Sequence, residues 1–118
     1  TLSTLLKHSD VVTLHIPLND TTRNMLSKKR LRLMKPGAIL INIARGGLVD
    51  EIEVKRMLKT KRLGAAAFDV FANEPPEDME LLNLPNFYVT PHIGGSAEEV
   101  ILDMGRAAID GLDTHLLP

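Results

Sequence analysis

The sequence predicts an α/β protein, a parallel sheet layered between helices, and three observations carry that prediction. Short apolar runs alternate along the 118 residues with segments of helical spacing, the pattern of successive βα units. One run, residues 38–43, is almost unbroken in apolar character, as strands buried on both faces are. Arg45, Glu74 and His92 each stand just past such a run, in ILINIARGG, GAAAFDVFANEPP and FYVTPHIGG. Parallel strands end on a common edge, and that edge is where open α/β sheets take ligands.

The elements follow in order. Residues 2–8 read as a short helix, and 11–16 as a strand closed by Pro17 and the polar run Asn19-Asp20-Thr21-Thr22. Residues 27–34 carry Leu31 and Met34 at helical spacing and stop at Pro36-Gly37, a strong terminator. After the strand at 38–43, Arg45-Gly46-Gly47 turns the chain. Asp50, with Glu53 three positions on, forms a capping box that opens a helix over 51–59, with Ile52, Val54, Met57 and Leu58 available inward. Gly64 closes this unit. Residues 65–70 form the next strand, whose three alanines predict close packing of helices above and below. Residues 72–86, rich in Pro and Asn, make the longest loop, and 87–90 a last short strand. Ser96 with Glu99 is a second capping box, starting a helix to about Leu116 with Val100, Met104, Ala107 and Ala108 on one face.

Composition narrows the function. Apolar residues are 44% and charged residues 25%, with a formal net charge of −1, an ordinary balance for a single globular domain. The one basic cluster, KKRLR at 28–32, reads as a solvated helix face. Nucleic-acid binding calls for a broader patch with aromatic platforms, and the chain has one Tyr, three Phe and no Trp. With no cysteine, disulfides, thiolate nucleophiles and Cys-based metal sites are excluded. His8, His15 and His115 lack metal-ligand spacing, and no G-x-S-x-G is present. Without a membrane-length apolar stretch or signal peptide, the chain is expected in the cytoplasm.

The candidate chemistry sits on four side chains. Arg45, followed by two glycines, offers a bidentate fork to a carboxylate where backbone can approach a ligand closely. His92, between Pro91 and Ile93-Gly94-Gly95, is suited to donating or accepting a proton near neutral pH. Glu74 would orient that imidazole and stabilise its charged form, as the carboxylate of a catalytic triad does. Asp69, at a strand end after three alanines and a phenylalanine, needs hydrogen bonds or a ligand. An amide group of a cofactor and the local backbone are both open as its partner.

At these residues the sequence resembles the D-isomer-specific 2-hydroxyacid dehydrogenase family. SDVVTLHIPLNDTTRNML is similar to the strand and turn on the adenosine side of the cofactor, and MKPGAILINIARGGLVDE to the segment around the family's arginine. AAFDVFANEPP and NFYVTPHIGGSAEE are similar to the segments bearing its aspartate, glutamate and histidine. The resemblance implies a Rossmann-type three-layer fold, and NAD as cofactor with NADP not excluded. It also implies hydride transfer between that cofactor and a D-2-hydroxy or 2-keto acid. Arg45 would bind the substrate carboxylate and polarise the keto oxygen. His92 would exchange that oxygen's proton, with Glu74 hydrogen-bonded to it. Cofactor contacts would come from Pro17, Thr22, Ile43, Ala44, Arg45, Asp69, His92, Gly94 and Gly95.

The sequence has no G-x-G-x-x-G after a strand and no ribose-binding acid about 20 positions on. Residues 1–118 are therefore expected to be the second half of a nucleotide-binding domain. The glycine-rich βαβ unit and the substrate domain would be absent, with little turnover in isolation. A homodimer is the expected assembly. The alternatives are a non-catalytic NAD-binding or oligomerising module of corepressor type, or a truncation whose exposed first strand pairs with another copy.

Overall fold

The computed structural model describes the backbone of residues 1–114 and the side chains of residues 1–111. Four strands, β1 (Val11–Leu14), β2 (Ala38–Asn42), β3 (Leu63–Phe68) and β4 (Phe87–Val89), form one sheet in the order β1-β2-β3-β4. Every pairing is parallel. The helices are α1 (Leu2–His8), α2 (Lys28–Leu31), α3 (Glu51–Lys59), α4 (Met79–Leu82) and α5 (Glu98–Thr114). The predicted α/β class is what the chain adopts. Because each strand pairs with its sequence neighbours, Leu14, Asn42, Phe68 and Val89 end along one edge, and the four following loops lie side by side on it.

The core lies on one face of the sheet. Val12, Leu14, Leu40, Ala66, Phe68 and Phe87 are buried there with Leu6, Leu31, Met34, Val54, Met57, Leu58 and Leu81 from the helices. Phe68, Phe71 and Phe87 pack edge-on or tilted, with ring centroids 6.0, 5.3 and 6.2 Å apart, and such pairs add to plain burial. The cluster ties the loop after β3, which carries Phe71, to β4. That contact holds two of the candidate loops together.

The opposite face corrects one expectation. Burial alternates along the strands: Val11, Ile39 and Tyr88 are exposed, and Ala65 and Ala67 are only half-buried. The strands are thus not covered on both faces by described residues, and the alanines have helices packed on one side of them. An apolar run records that a face is apolar and says nothing about which segment covers it. The stripe on α5 behaves alike. Val100 and Met104 are exposed, as are Ala107 and Ala108. The expected end of that helix at Leu116 lies outside the described residues.

Smaller corrections have local causes. Ile52 is 77% exposed, because a step of two residues from Val54 turns about 200° around a helix and puts it on the far face. The capping box at α3 is half formed: Asp50 accepts from the Glu53 N–H at 3.0 Å, but the Glu53 carboxylate is taken by Arg32 and Arg56. Gly64 lies inside β3 and does not end the preceding unit. A Cβ there would stand 2.4 Å from the Gly37 carbonyl oxygen, so the residue is small because the chain entering β2 crosses it. Beyond Leu31, Leu33 and Met34 donate to carbonyls three residues back, a tightened turn of 3₁₀ type that keeps Met34 inward before Pro36.

Candidate active site

The site begins at the tip of β2. Asn42 is fully buried; its side-chain amide donates to the Arg45 carbonyl at 3.0 Å and its oxygen accepts from the Ala44 N–H at 3.2 Å. One amide thus shapes the turn that presents Ile43, Ala44 and Arg45. The sequence reading passed over Asn42. Its signal was an amide inside an apolar run, since a buried amide must find partners. Arg45 is exposed and donates to the Ala44 carbonyl at 2.6 Å. Beside it, a Cβ on Gly46 would fall 1.8 Å from the Phe71 carbonyl oxygen, so only glycine lets this turn press against the loop after β3.

That loop is held from two directions. The Glu51 carboxylate, on the first turn of α3, accepts from the Ala72 N–H at 2.8 Å. Glu74 accepts from the Phe71 N–H at 3.0 Å through one oxygen and bonds the His92 Nδ1 at 2.7 Å through the other. The hydrogen bond from His92, joined by that from Phe71, holds the Glu74 carboxyl below the usual carboxylate range. An ionised carboxylate can only accept, so the His92 Nδ1 carries the hydrogen. Nε2 is left for a ligand. Desolvation pushes the Glu51 carboxyl up in spite of its bond to Ala72. The sequence reading saw in Glu51 only a helix start.

His92 has φ +56°, where non-glycine residues are uncommon, and Asp69 fastens the chain on both sides of it. The Asp69 carboxylate is 4% exposed and accepts from the Thr90 hydroxyl, from the Ile93 N–H at 2.9 Å and from the Gly94 N–H at 2.8 Å. Burial works to raise its pKa, but these three donors and the nearby His92 outweigh it, and the net displacement is downward. Of the two partners left open for Asp69, the backbone is realised. Three of roughly four acceptor positions of the carboxylate are occupied.

Three adjoining cavities run along this edge. One of about 320 Å³ lies between β1 and β2, lined by His15, Ile16, Pro17, Ile43, Ala44 and Arg45. A second, of about 260 Å³, shares Ile43 and reaches Asp69, Val89 and Thr90. The third, of about 480 Å³, shares those last three residues and ends on Phe71, Glu74 and His92. Glu74 and His92 therefore meet, while Arg45 stands one loop away, lining the far cavity. Thr22 closes a turn, its hydroxyl donating to the Pro17 carbonyl at 2.7 Å. Gly94 serves Asp69 through its N–H, and Gly95 is exposed.

Residues 1–94 match the family described as D-isomer specific 2-hydroxyacid dehydrogenase, NAD binding domain. The chain belongs to that family. It is 45% identical over 118 aligned residues to the glycerate dehydrogenase of Methylorubrum extorquens, a match covering 98% of this chain and 38% of the relative. The crystal structure of a glyoxylate reductase from Paecilomyes thermophila superposes with a TM-score of 0.91 at 35% identity, over 97% of this chain and 35% of that one. A family member from Xanthobacter autotrophicus Py2, solved in complex with NADPH and MES, gives a TM-score of 0.75 at 36% identity, over 78% and 30%. The chain thus spans a little over a third of the length of the first two of these dehydrogenases. The fold they share is the Rossmann-type arrangement expected from the motifs.

Proposed function

We propose that these residues form the catalytic half of an NAD(P)-dependent dehydrogenase acting on a small D-2-hydroxy acid or its 2-keto counterpart. One observation carries the reading: the His92 Nδ1–Glu74 bond at 2.7 Å, with the second Glu74 oxygen pinned by backbone. A histidine whose Nδ1 hydrogen is held by a carboxylate is fixed in orientation and tautomer with Nε2 turned to the ligand, the placement required for giving a proton to a keto oxygen and taking it back. Arg45 holds the substrate carboxylate in a bidentate fork and draws the keto oxygen towards His92. Bound nicotinamide supplies the hydride. Family membership adds support from outside the geometry.

The cavity edge fits such a cofactor. The sequence of three adjoining cavities suits an elongated ligand, and Ile43, Val89 and Tyr88 give the middle one an apolar wall. The remaining acceptor position of Asp69 suits a carboxamide N–H. Pro17, Ile43, Ala44 and Arg45 line the adenosine-ward cavity, Gly94 stands beside Asp69, and Gly95 follows it, exposed to a ligand. Thr22 contributes by shaping the Pro17 turn. NAD and NADP are both accommodated by this reading.

The same proposal treats residues 1–118 as the second half of a nucleotide-binding domain, completed elsewhere by a glycine-rich βαβ unit and a substrate domain. The apolar sheet face left open here supports it. Homodimerisation is supported by the exposed stripe of α5. No described helix is long and apolar enough to cross a membrane.

A chimera tests the reading. Residues 1–118 replace their counterpart in the Methylorubrum extorquens enzyme, and glycerate oxidation is followed through NADH absorbance. The expected result is turnover in the chimera, lost by a factor of about 10² to 10⁴ on His92→Ala. A folded chimera without turnover, or one indifferent to His92→Ala, overturns the proposal.

A further inference from the structure

The opposite edge of the sheet carries a cluster that the reaction does not use. Arg32, Pro36, Arg56, Thr60, Lys61 and Arg62 line a cavity of about 650 Å³, within the range of small-molecule pockets. Pro36 precedes β2, and Lys61 and Arg62 immediately precede β3. The cavity is therefore at the N-terminal ends of the strands, about 20 Å from the tip of six-residue β3. Four cationic side chains line it, and two of them, Arg32 and Arg56, bond a buried carboxylate, Glu53.

Two details separate this cavity from an ordinary solvated basic face. Arg62 donates through one terminal nitrogen to the carbonyls of Arg32 and Met34, which locks its guanidinium in place. Its other terminal nitrogen is buried with no hydrogen-bond partner among the described residues. A buried donor left unpaired is costly, and a charged one more so. The cavity also receives the C-terminal end of α3, whose partial negative charge would by itself repel an anion. However, those carbonyls are already occupied: Thr60, Lys61 and Arg62 donate backbone N–H groups to Arg56, Leu58 and Met57, and the Thr60 hydroxyl bonds Arg56 and Met57. The positive side chains are left as the dominant field.

We infer that Arg32, Arg56, Lys61 and Arg62 build a second ligand site, separate from the candidate active site, for a small phosphorylated anion. Arg32 bonds Glu53 through Nε alone, which leaves its two terminal nitrogens as a pair that matches phosphate oxygens bidentately, and Lys61 adds a point charge. An excess of three positive charges (four cations less the Glu53 carboxylate) favours a dianion or higher over a monocarboxylate. The inference is independent of the proposed hydride-transfer chemistry.

Inorganic pyrophosphate and glycerol phosphate serve as probes on the purified 118-residue chain, with binding read by titration calorimetry and backbone amide shifts. Saturable binding of pyrophosphate below about 1 mM, with shifts centred on Thr60, Lys61 and Arg62, is expected. If glycerol phosphate binds as tightly, the site takes phosphate esters; if pyrophosphate alone binds, it takes inorganic polyanions, and the site stands in both cases. Lys61→Asn removes one charge while tolerating the φ of +56° at that position, and should weaken binding about fivefold to tenfold. Arg45→Gln should leave it unchanged. Neither probe saturating by about 10 mM, or shifts centred on residues 44–47, overturns the inference. So does a folded Lys61→Asn chain with wild-type affinity. If Lys61→Asn does not fold, the shift map of the unaltered chain decides.

Discussion

Replacing Asp69 with Asn isolates what holds the histidine loop. The side chains are nearly the same size, so packing is preserved, but one carboxylate oxygen becomes an NH₂ that cannot accept. Asp69 takes Thr90 and Ile93 on one oxygen and Gly94 on the other. The cheaper orientation of Asn keeps the first two bonds and sacrifices the third. Loss of charge weakens each retained bond by about 1 kcal/mol, and the orphaned Gly94 N–H costs about another 1 kcal/mol. The sum is about 3 kcal/mol, or about two powers of ten in a local opening equilibrium. Hydrogen exchange on the folded chain reads it directly. The Ile93 and Gly94 amides should exchange about 10² times faster in Asp69→Asn, while amides of β2 are unaffected. If exchange at Ile93 and Gly94 changes less than threefold, Asp69 is not the clamp, and the positive φ of His92 is maintained by something else.

Three further perturbations test other parts of the structure. Glu53, pulled down to about 2 from an ordinary 4.5 chiefly by its hydrogen bond to Arg56, with Arg32 adding to the effect, makes stability dependent on acid. Because folding lowers this pKa, its contribution is complete above about pH 4.5 and is lost as pH falls towards 2. The displacement corresponds to about 3 kcal/mol, discounted to about 2 for half-exposed guanidiniums, and urea melts across that range should show a fall smaller by about that amount in Glu53→Gln than in wild type, the remainder coming from carboxyls such as Asp69 and Glu74 that folding also lowers. Gly46→Ala should cost about 3 kcal/mol or more through backbone collision with Phe71, visible as a lower Tm; an unchanged Tm would mean the two loops do not touch. Ile52→Glu, on the exposed face of α3, should move Tm by no more than the equivalent of about 0.5 kcal/mol.

Much of the edge that matters was legible in the residues themselves. Arg45, Glu74 and His92 announced themselves by following apolar runs, and parallel pairing was enough to bring their loops to one side. The sheet order then settled which of them touch: β3 and β4 are neighbours, so Glu74 reaches His92, while the Arg45 turn touches the same loop through Gly46 instead. Asn42, Glu51 and Glu53 were illegible in their roles. Each is polar at a position that pattern reading assigns to a strand interior or a helix start, and only the folded backbone shows which groups it meets: the adjoining turn for Asn42, the loop after β3 for Glu51, and Arg32 and Arg56 for Glu53. Asp69 could be narrowed to two partners from sequence, and the position of the 90–94 loop supplies the backbone one, with an acceptor position left over for the other. The open face of the sheet escaped for a different reason. Periodicity reports the chemistry of a surface, whereas what lies against it is a property of the whole assembly.

The sequential order of the strands has a consequence for how the chain is made. From β2 onward each described strand pairs with the one synthesised immediately before it, so each of these three finds its template already in place as it emerges and closes a single crossover. None of these three described strands has to wait for a distant partner, the situation that slows folding and exposes unpaired edges. The order also sets when chemistry becomes available. Arg45, Asp69 and Glu74 are in position once β3 has docked, but His92 follows β4 and arrives last. The group proposed to transfer the proton is thus the last of the four to be placed, on a frame that the three earlier strands have already set.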